Sequence, residues 1–505
     1  MIKSNGGIIG PDNVTTGGAF GSASGVFKLG EVTDLIKESK WPTQGPQGFQ
    51  VANSARFNRG SSDSLTRTLG TPTNNKKWTY SFWVKQSLID VDQYLLNTGS
   101  DTSYIYFRPS NANPAPFGFS IEQYVGGFQY RLIPNMVFRD PSAWRHIVIA
   151  FDTTQGTDTN RVKVYDNGTQ ITSFNTASYP SQNLDTQTNS ALAHKIGGYS
   201  SGGYLGGYLS EVCFVDGQQL APTSFGEFNS QTGIWVPKVV TGLTFGNNGF
   251  YLPFTNSGAL GEDFSGEDND FTANNLTSLD QSTDTCSTNF ATLNSLIKTT
   301  STISEGNLQY TSPGSNPVFG SLSSIGMSQG KWYGEVNYAS GSNHYLVLGV
   351  ADENFQNGNT ASIDLGKSGT TSSIAYVVNT GAYRINNSNT SWGSAGGDGQ
   401  IIMWAIDRVN NKIYFGVNGV WGASSDPAAN TGGIPTTALD SSTDWFIGCT
   451  NDTSGTETVA QFNFGSPNFA ISSGNTDGNG FGNFEYAPPS GFLSLNTKNL
   501  AAVLA

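Results

Sequence analysis

Two stretches far apart in the chain close on the same dipeptide. Residues 161–168 (RVKVYDNG) and 412–419 (KIYFGVNG) alternate apolar and polar side chains and stop at Asn-Gly. Alternation with period two puts Val162 and Val164 on one strand face, and Ile413, Phe415 and Val417 on another. Asn-Gly accepts positive φ at both central turn positions, which selects a tight hairpin turn whose twist suits paired strands. Each stretch follows a second alternating run. WRHIVIAFD (144–152) gathers Ile147, Ile149 and Phe151 on one face, and IIMWAID (401–407) precedes the other. WTYSFWVK (78–85) does the same with Tyr80, Phe82 and Val84. Runs of this kind with turn residues between them predict antiparallel β-sandwiches.

Composition agrees. Among 505 residues there are 62 glycines, only 12% charged residues and 12% aromatics, a balance that favours short strands and turns over long helices. At about 150 residues per domain, this length predicts two to three domains. The net charge of −13 excludes a nucleic-acid partner, whose phosphates need a Lys/Arg patch. No apolar run approaches the ~18 residues of a membrane span, so membrane insertion is not expected. The start, MIKSNGGIIG, has no charged region followed by an apolar core, so no secretory signal is read. Cys213, Cys286 and Cys449 lie too far apart for a metal knuckle and are expected as reduced, buried thiols. His146, His194 and His344 are equally scattered.

The runs divide the chain into five parts. Residues 1–46 form a Gly-rich leader with apolar knobs Ile8, Ile9, Val26, Phe27, Leu29 and Trp41, and a short helix is expected over about 29–40. Too short to own a core, this segment is expected to anchor on another surface. Residues 47–237 and 301–470 are the two sandwiches. Residues 238–300 connect them and include one or two strands, Phe250–Phe254 being one. Residues 471–505, with Pro488-Pro489, are expected to wrap back as an extended tail.

Residues 78–228 resemble a laminin-G-like, concanavalin A-like module. Trp78–Lys85 matches its first core strand, Trp144–Asp152 with Val162–Gly168 its hairpin, and Ile196–Leu220, with Glu211-Val212, its closing segment. Residues 330–465 are similar to a SPRY domain through Gly330-Lys331-Trp332-Tyr333, Glu335-Val336, Leu348-Gly349-Val350, Ile413–Gly419 and Phe462-Asn463-Phe464-Gly465. Gly334 stands where that family usually has Trp. The order of the leader, the stretch Asp263–Asn275, Thr288–Asn294 and APPSGFLSLNTKNL (487–500) resembles virion structural proteins of tailed phages. The resemblances imply an all-β chain of two concanavalin A-like jelly-roll sandwiches behind an extended N-terminal anchoring segment.

Catalysis on such a sandwich needs paired carboxylates, supplied as E-x-D-x-E on one strand face. No such pattern occurs; Glu211 and Glu335 each stand alone. No catalytic residue is therefore assigned. The loop GEDFSGEDND offers Asp263, Glu267, Asp268 and Asp270 as oxygen ligands for Ca²⁺, without the spacing of an EF-hand. Sugar recognition would use loop aromatics that stack on a pyranose face. The candidates are Tyr199, Tyr204 and Tyr208 in the first sandwich, and Tyr383, Trp392 and Trp421 in the second. Trp83, Trp144, Trp332, Trp404 and Trp445 sit in strand patterns and are assigned to the core. The expected function is that of a non-enzymatic virion protein, tail fibre, spike or head appendage. It would be displayed on the particle, bound to other virion proteins through the leader, homo-oligomeric, and bound to host-surface glycan or protein. A polysaccharide depolymerase and a purely structural capsid decoration are the alternatives.

Overall fold

The computed structural model describes residues 8–10, 25–27, 49–99, 101–200, 202–230, 232–297, 301–312, 320–340, 345–358, 365–367, 372–451 and 457–504. It is nearly all β, and the chain divides into two compact units. One spans Pro46–Ser287 and the other includes Thr288–Ala505. Within the leader, Ile8–Gly10 pairs with Gly25–Phe27 as a small antiparallel ribbon, Ile8 opposite Phe27 and Ile9 opposite Val26. Leu29, Trp41 and the expected helix lie outside the described residues.

The first unit packs two eight-stranded antiparallel sheets. At the centre of one lies Lys77–Gln86, flanked by Arg145–Asp152 and Gly207–Asp216, with Val162–Asp166 beyond the former. The other runs Phe174–Ser178, Phe128–Pro134, Phe119–Tyr124, Ser103–Phe107, Gln93–Thr98, Ala193–Ile196, Ser64–Thr68, Thr272–Asn274. Tyr80, Phe82, Ile149 and Val164 from the first sheet meet Leu95, Ile105, Ile121 and Leu132 from the second in one buried core. The chain enters and leaves this unit side by side. Ser54 lies opposite Ser282 and Ala55 opposite Gln281, while Val51 N–H donates to Ser287 Oγ at 3.0 Å.

The second unit repeats the plan. Lys331–Ser340 lies between Ile401–Asp407 and Val459–Asn463, with Lys412–Val417 next to the former. A six-stranded sheet containing Trp445–Asn451 and Leu346–Asp352 packs opposite. Ile413, Phe415, Trp332, Trp404 and Trp445 are all buried in its core. Gly334 pairs with Trp404, and a Cβ there would lie 2.3 Å from the indole. The Trp404 ring fills the space a side chain at 334 would need.

Both Asn-Gly turns take the expected form, with φ of 45° and 78° at Asn167-Gly168 and 46° and 83° at Asn418-Gly419. Two readings need correction. The stretch 238–287 is not a connection, because Phe250–Leu252, Thr272–Asn274 and Gln281–Ser282 each add a strand to the first unit. The tail is not merely extended. Leu493–Ser494 pairs in parallel with Trp332-Tyr333, and Thr497–Leu504 is a helix that buries Leu500 in the core.

Candidate functional site

The outward face of the second sheet in the first unit collects aromatic and charged side chains. Ser103–Phe107 shows why: Ile105 and Phe107 enter the core, so alternation turns Tyr104 and Tyr106 outward, half-buried. Across the strands, Lys195 lies opposite Asn97, Asn97 opposite Tyr104, Tyr104 opposite Glu122, and Glu122 opposite Arg131. A neighbouring row places Tyr94 opposite Tyr106. The two rings stack at 4.8 Å and 9°, and Tyr199 stacks on Tyr94 at 4.9 Å. The Arg108 guanidinium sits 5.9 Å from the Tyr106 ring centre, and Tyr104 meets Tyr94 edge-on at 5.8 Å. Burial pushes the Tyr104 phenol up to about 12 and raises those of Tyr94 and Tyr106, so all three stay neutral at ordinary pH.

Glycines set this column. A Cβ at Gly203 would lie 2.5 Å from the Tyr94 ring, and one at Gly198 would lie 2.7 Å from the Tyr204 ring. The Gly-rich turn thus lets both rings lie against its backbone. Glu122 Oε1 accepts from Ser120 Oγ (2.7 Å), Arg131 Nε (3.1 Å) and Tyr106 OH (3.3 Å). At the hairpin tip beyond, Tyr124 and Phe128 are 49% and 48% exposed and meet edge-to-face at 5.2 Å. The Arg131 guanidinium lies 4.6 Å from the Phe128 ring centre.

Of the aromatics proposed from sequence, Tyr199 and Tyr204 are half-buried beside this column. Tyr208 is not a loop residue. It sits in the strand Gly207–Asp216, only 1% exposed, packed with Trp83, Trp144 and Trp235. In the second unit Tyr383 and Trp392 meet edge-to-face at 6.0 Å, but Trp392 is seated on Gly422 and donates to Phe415 O at 3.4 Å. Trp421 packs against the cluster around Tyr333. All three are half-buried, and the structure brings Tyr383 and Trp392 together while Trp421 joins a different cluster. Tyr94, Tyr104, Tyr106, Glu122, Arg108 and Arg131 escaped the sequence reading, although the alternation of SYIYF already marked two of them.

The acidic loop is organised around its own amides. Asp263 Oδ1 accepts from Tyr251 N–H and Ser265 N–H, and Oδ2 accepts from Asn269 N–H and Ser265 Oγ. Asp270 Oδ1 accepts from Asp263 N–H at 2.8 Å. Glu267 and Asp268 are exposed. Among the described residues no group of three or more His, Cys, Asp or Glu side chains is placed to hold a metal ion.

A buried Ser–His contact is also accounted for structurally. Ser81 Oγ lies 2.8 Å from His146 Nε2, and Trp235 Nε1 lies 2.9 Å from His146 Nδ1. An indole N–H only donates, so Nδ1 is the acceptor and Nε2 carries the proton that bonds Ser81. This tautomer cannot take a proton from the hydroxyl, and burial pushes the imidazole down to about 3. Glu335 is fully buried and accepts from Tyr486 N–H (2.7 Å), Glu485 N–H (3.0 Å) and Tyr333 OH (2.9 Å). It ties down the tail.

Residues 59–220 match the concanavalin A-like lectin/glucanases superfamily. The first unit has that fold. Among solved structures, the chain is similar to the SPRY domain of human HERC1 at 13% identity, over 34% of this chain and 96% of that one, with a TM-score of 0.28. It is similar to the heptameric SAP-like pentraxin of Limulus polyphemus at 14% identity, over 34% and 79%, with a TM-score of 0.26. It is also similar to Domain 4 of the GH43 extracellular arabinanase AbnA of Geobacillus stearothermophilus, in complex with arabinotriose. That likeness has 15% identity, covers 31% and 66%, and has a TM-score of 0.24. A search of curated proteins finds no match to the sequence.

Proposed function

We propose that the first unit binds carbohydrate on the outward sheet face, without cleaving it. The observation behind this reading is the contiguous Arg108–Tyr106–Tyr94–Tyr199 column on the outward sheet face, beside the partly exposed Tyr104 and Arg131. Both faces of Tyr94 are covered, so stacking on sugar falls to other rings, Tyr199 on the column and Tyr124 and Phe128 at the separate hairpin tip. The guanidinium of the partly exposed Arg131 supplies directional hydrogen bonds. Glu122 has its Oε1 engaged by three protein donors, which supports a binding role over an acid–base one.

Affinity electrophoresis through polysaccharide gels tests this. Tyr199→Ala and Phe128→Ala should each reduce retardation while folding is unchanged. Incubation with the retarding polymer should release no new reducing ends; their appearance would establish the depolymerase instead.

We further propose that this binding serves a tailed-phage particle, with residues 1–46 as the attachment to other virion proteins. The order of the leader, Asp263–Asn275 and 487–500 motifs supports it. Deleting 1–46 should leave both units folded and stop incorporation into particles. Several copies on a particle would multiply weak single-site affinity by roughly 10²–10⁴ where geometry permits.

A further inference from the structure

We propose that the polysaccharide bound on this face is acidic, bearing carboxylate or sulfate groups; the inference rests on the carbohydrate-binding reading above. The argument is a count of unused donors. Lys195 Nζ donates to Tyr199 O at 3.2 Å and lies 5.7 Å from the Tyr204 ring centre. Among the described residues it has no carboxylate partner. Arg131 bonds Glu122 through Nε alone, which leaves the four N–H groups of its terminal fork without a protein acceptor among the described residues. That fork is shaped for bidentate capture of a carboxylate or sulfate.

The acceptors on the same face are in the opposite condition. Glu122 Oε1 already takes three donors and has a second guanidinium, Arg108, at 3.8 Å. Asp101 accepts from Asn97 Nδ2 at 2.8 Å and from Ser200 Oγ. Asp92 is the exception: it is exposed, and desolvation raises its carboxyl against the weaker pull of Arg108 and Arg59. A face with unused cationic donors and engaged carboxylates fits a ligand rich in anionic acceptors. This local bias stands out in a chain whose net charge is −13.

Register gives the ligand a direction. Lys195 and Arg131 lie in one cross-strand row with Asn97, Tyr104 and Glu122 between them. Four interstrand spacings separate the two cations by about 19 Å. The sheet continues past Lys195 to Thr66 and past Arg131 to Ser178, and both cations are partly exposed. A polymer lying across the strands would present anionic groups to both cations, with an intervening ring over the partly exposed Tyr104.

The full chain is run through gels containing polygalacturonate, dextran sulfate or neutral dextran, at roughly 20 mM and roughly 300 mM salt. Retardation by one or both anionic polymers, and not by dextran, is expected, with a marked loss at the higher salt. Lys195→Gln should weaken that retardation about fivefold, the scale of one exposed ion pair. Arg131→Lys, which keeps charge and removes the fork, should weaken it as well, so the test survives misfolding of either variant. Tyrosine-dependent retardation by dextran equal to that by the anionic polymers overturns the acidic ligand and leaves carbohydrate binding standing. Retardation by none of a broader panel of neutral and anionic polymers overturns both.

Discussion

The two units share the fastenings of one hairpin, although its turn is four residues longer in the first, and differ in how they fasten the chain that comes after it. In the first, Lys77 pairs with Asp152 at 3.2 Å, Asp152 accepts from Thr154 N–H in the turn, and Asn167 Oδ1 accepts from His146 N–H. In the second, Lys331 pairs with Asp407 at 3.1 Å, Asp407 accepts from Val409 and Asn410 N–H, and Asn418 Oδ1 accepts from Ile401 N–H. An aromatic ring covers each turn glycine, Trp235 over Gly168 and Tyr486 over Gly419.

The fastenings diverge. The last segment of the first unit is held by buried cations: Lys85 Nζ lies 2.7 Å from Asp284, which also accepts from Trp144 Nε1, and Arg56 bonds Asp280 at 3.3 Å. The tail of the second unit is held by carboxylates cradled in amides. Glu335 is one. Asp477 is the other, accepting from Asn479, Phe481 and Ser494 N–H and from Asn499 Nδ2 at 2.7 Å. A buried carboxylate needs compensation, and either a cation or an array of N–H donors provides it.

The sharpest way to break this contrast is Lys85→Met. It leaves Asp284 charged and buried, and should cost about 3–5 kcal/mol. Hydrogen-exchange mass spectrometry should find lost protection confined to the first unit. Adding Asp284→Leu should recover most of the loss, because an apolar pair has no charge to compensate.

Next in size is a pH effect. Burial raises the Glu211 carboxyl to about 7, although the Tyr251 hydroxyl donating to it at 2.6 Å pulls the other way. A carboxyl with a folded value above its unfolded one is more easily kept neutral in the fold. Its contribution is complete below about pH 4.5 and disappears as pH rises through 7, by up to about 3 kcal/mol. Denaturant midpoints of the parent and of Glu211→Gln should diverge as pH rises from 5 to about 8.5, the variant losing less; parallel curves would refute it.

Glu335→Gln is the matching test in the second unit. One amide N–H of the tail would face an NH₂ group in place of an oxygen, at about 1–3 kcal/mol. Exchange should quicken at residues 484–486 and leave the first unit unchanged. The smallest effect compares Gly168→Ala with Gly419→Ala. Both place Cβ at positive φ, but the new atom meets Trp235 at 2.3 Å and Tyr486 at 2.9 Å. The first should lose more stability, by about 1 kcal/mol; equal losses would make the aromatic covers irrelevant.

Alternation and Asn-Gly made the central strands, their buried faces and both hairpin turns legible, because those features depend on neighbours in sequence. What depended on distant partners stayed hidden. Phe250–Leu252 is three residues long and becomes a strand only by pairing with Val212–Phe214. Leu500 gives the terminal helix its place by burial in a core assembled elsewhere. The spacing of the acids 263–270 likewise does not reveal that Asp263 is surrounded by N–H donors. Tyr208 looked like a loop residue between glycines, yet it continues the strand to Asp216. The tyrosine column joins residues 94, 104, 106 and 199, and no local pattern spans that separation.

The side-by-side entry and exit of the first unit has a mechanical consequence. Traction applied at Ser54 and Ser282 pulls on the two ends of one short ladder, so its hydrogen bonds are loaded one after another. Such a ladder unzips at low force, whereas strands pulled in shear must break together. The buried Lys85–Asp284 pair lies between this ladder and the exit of the chain and so takes the load first. A domain joined in this way can give a little under tension, take up slack between whatever lies before and after it, and close again when the load is removed.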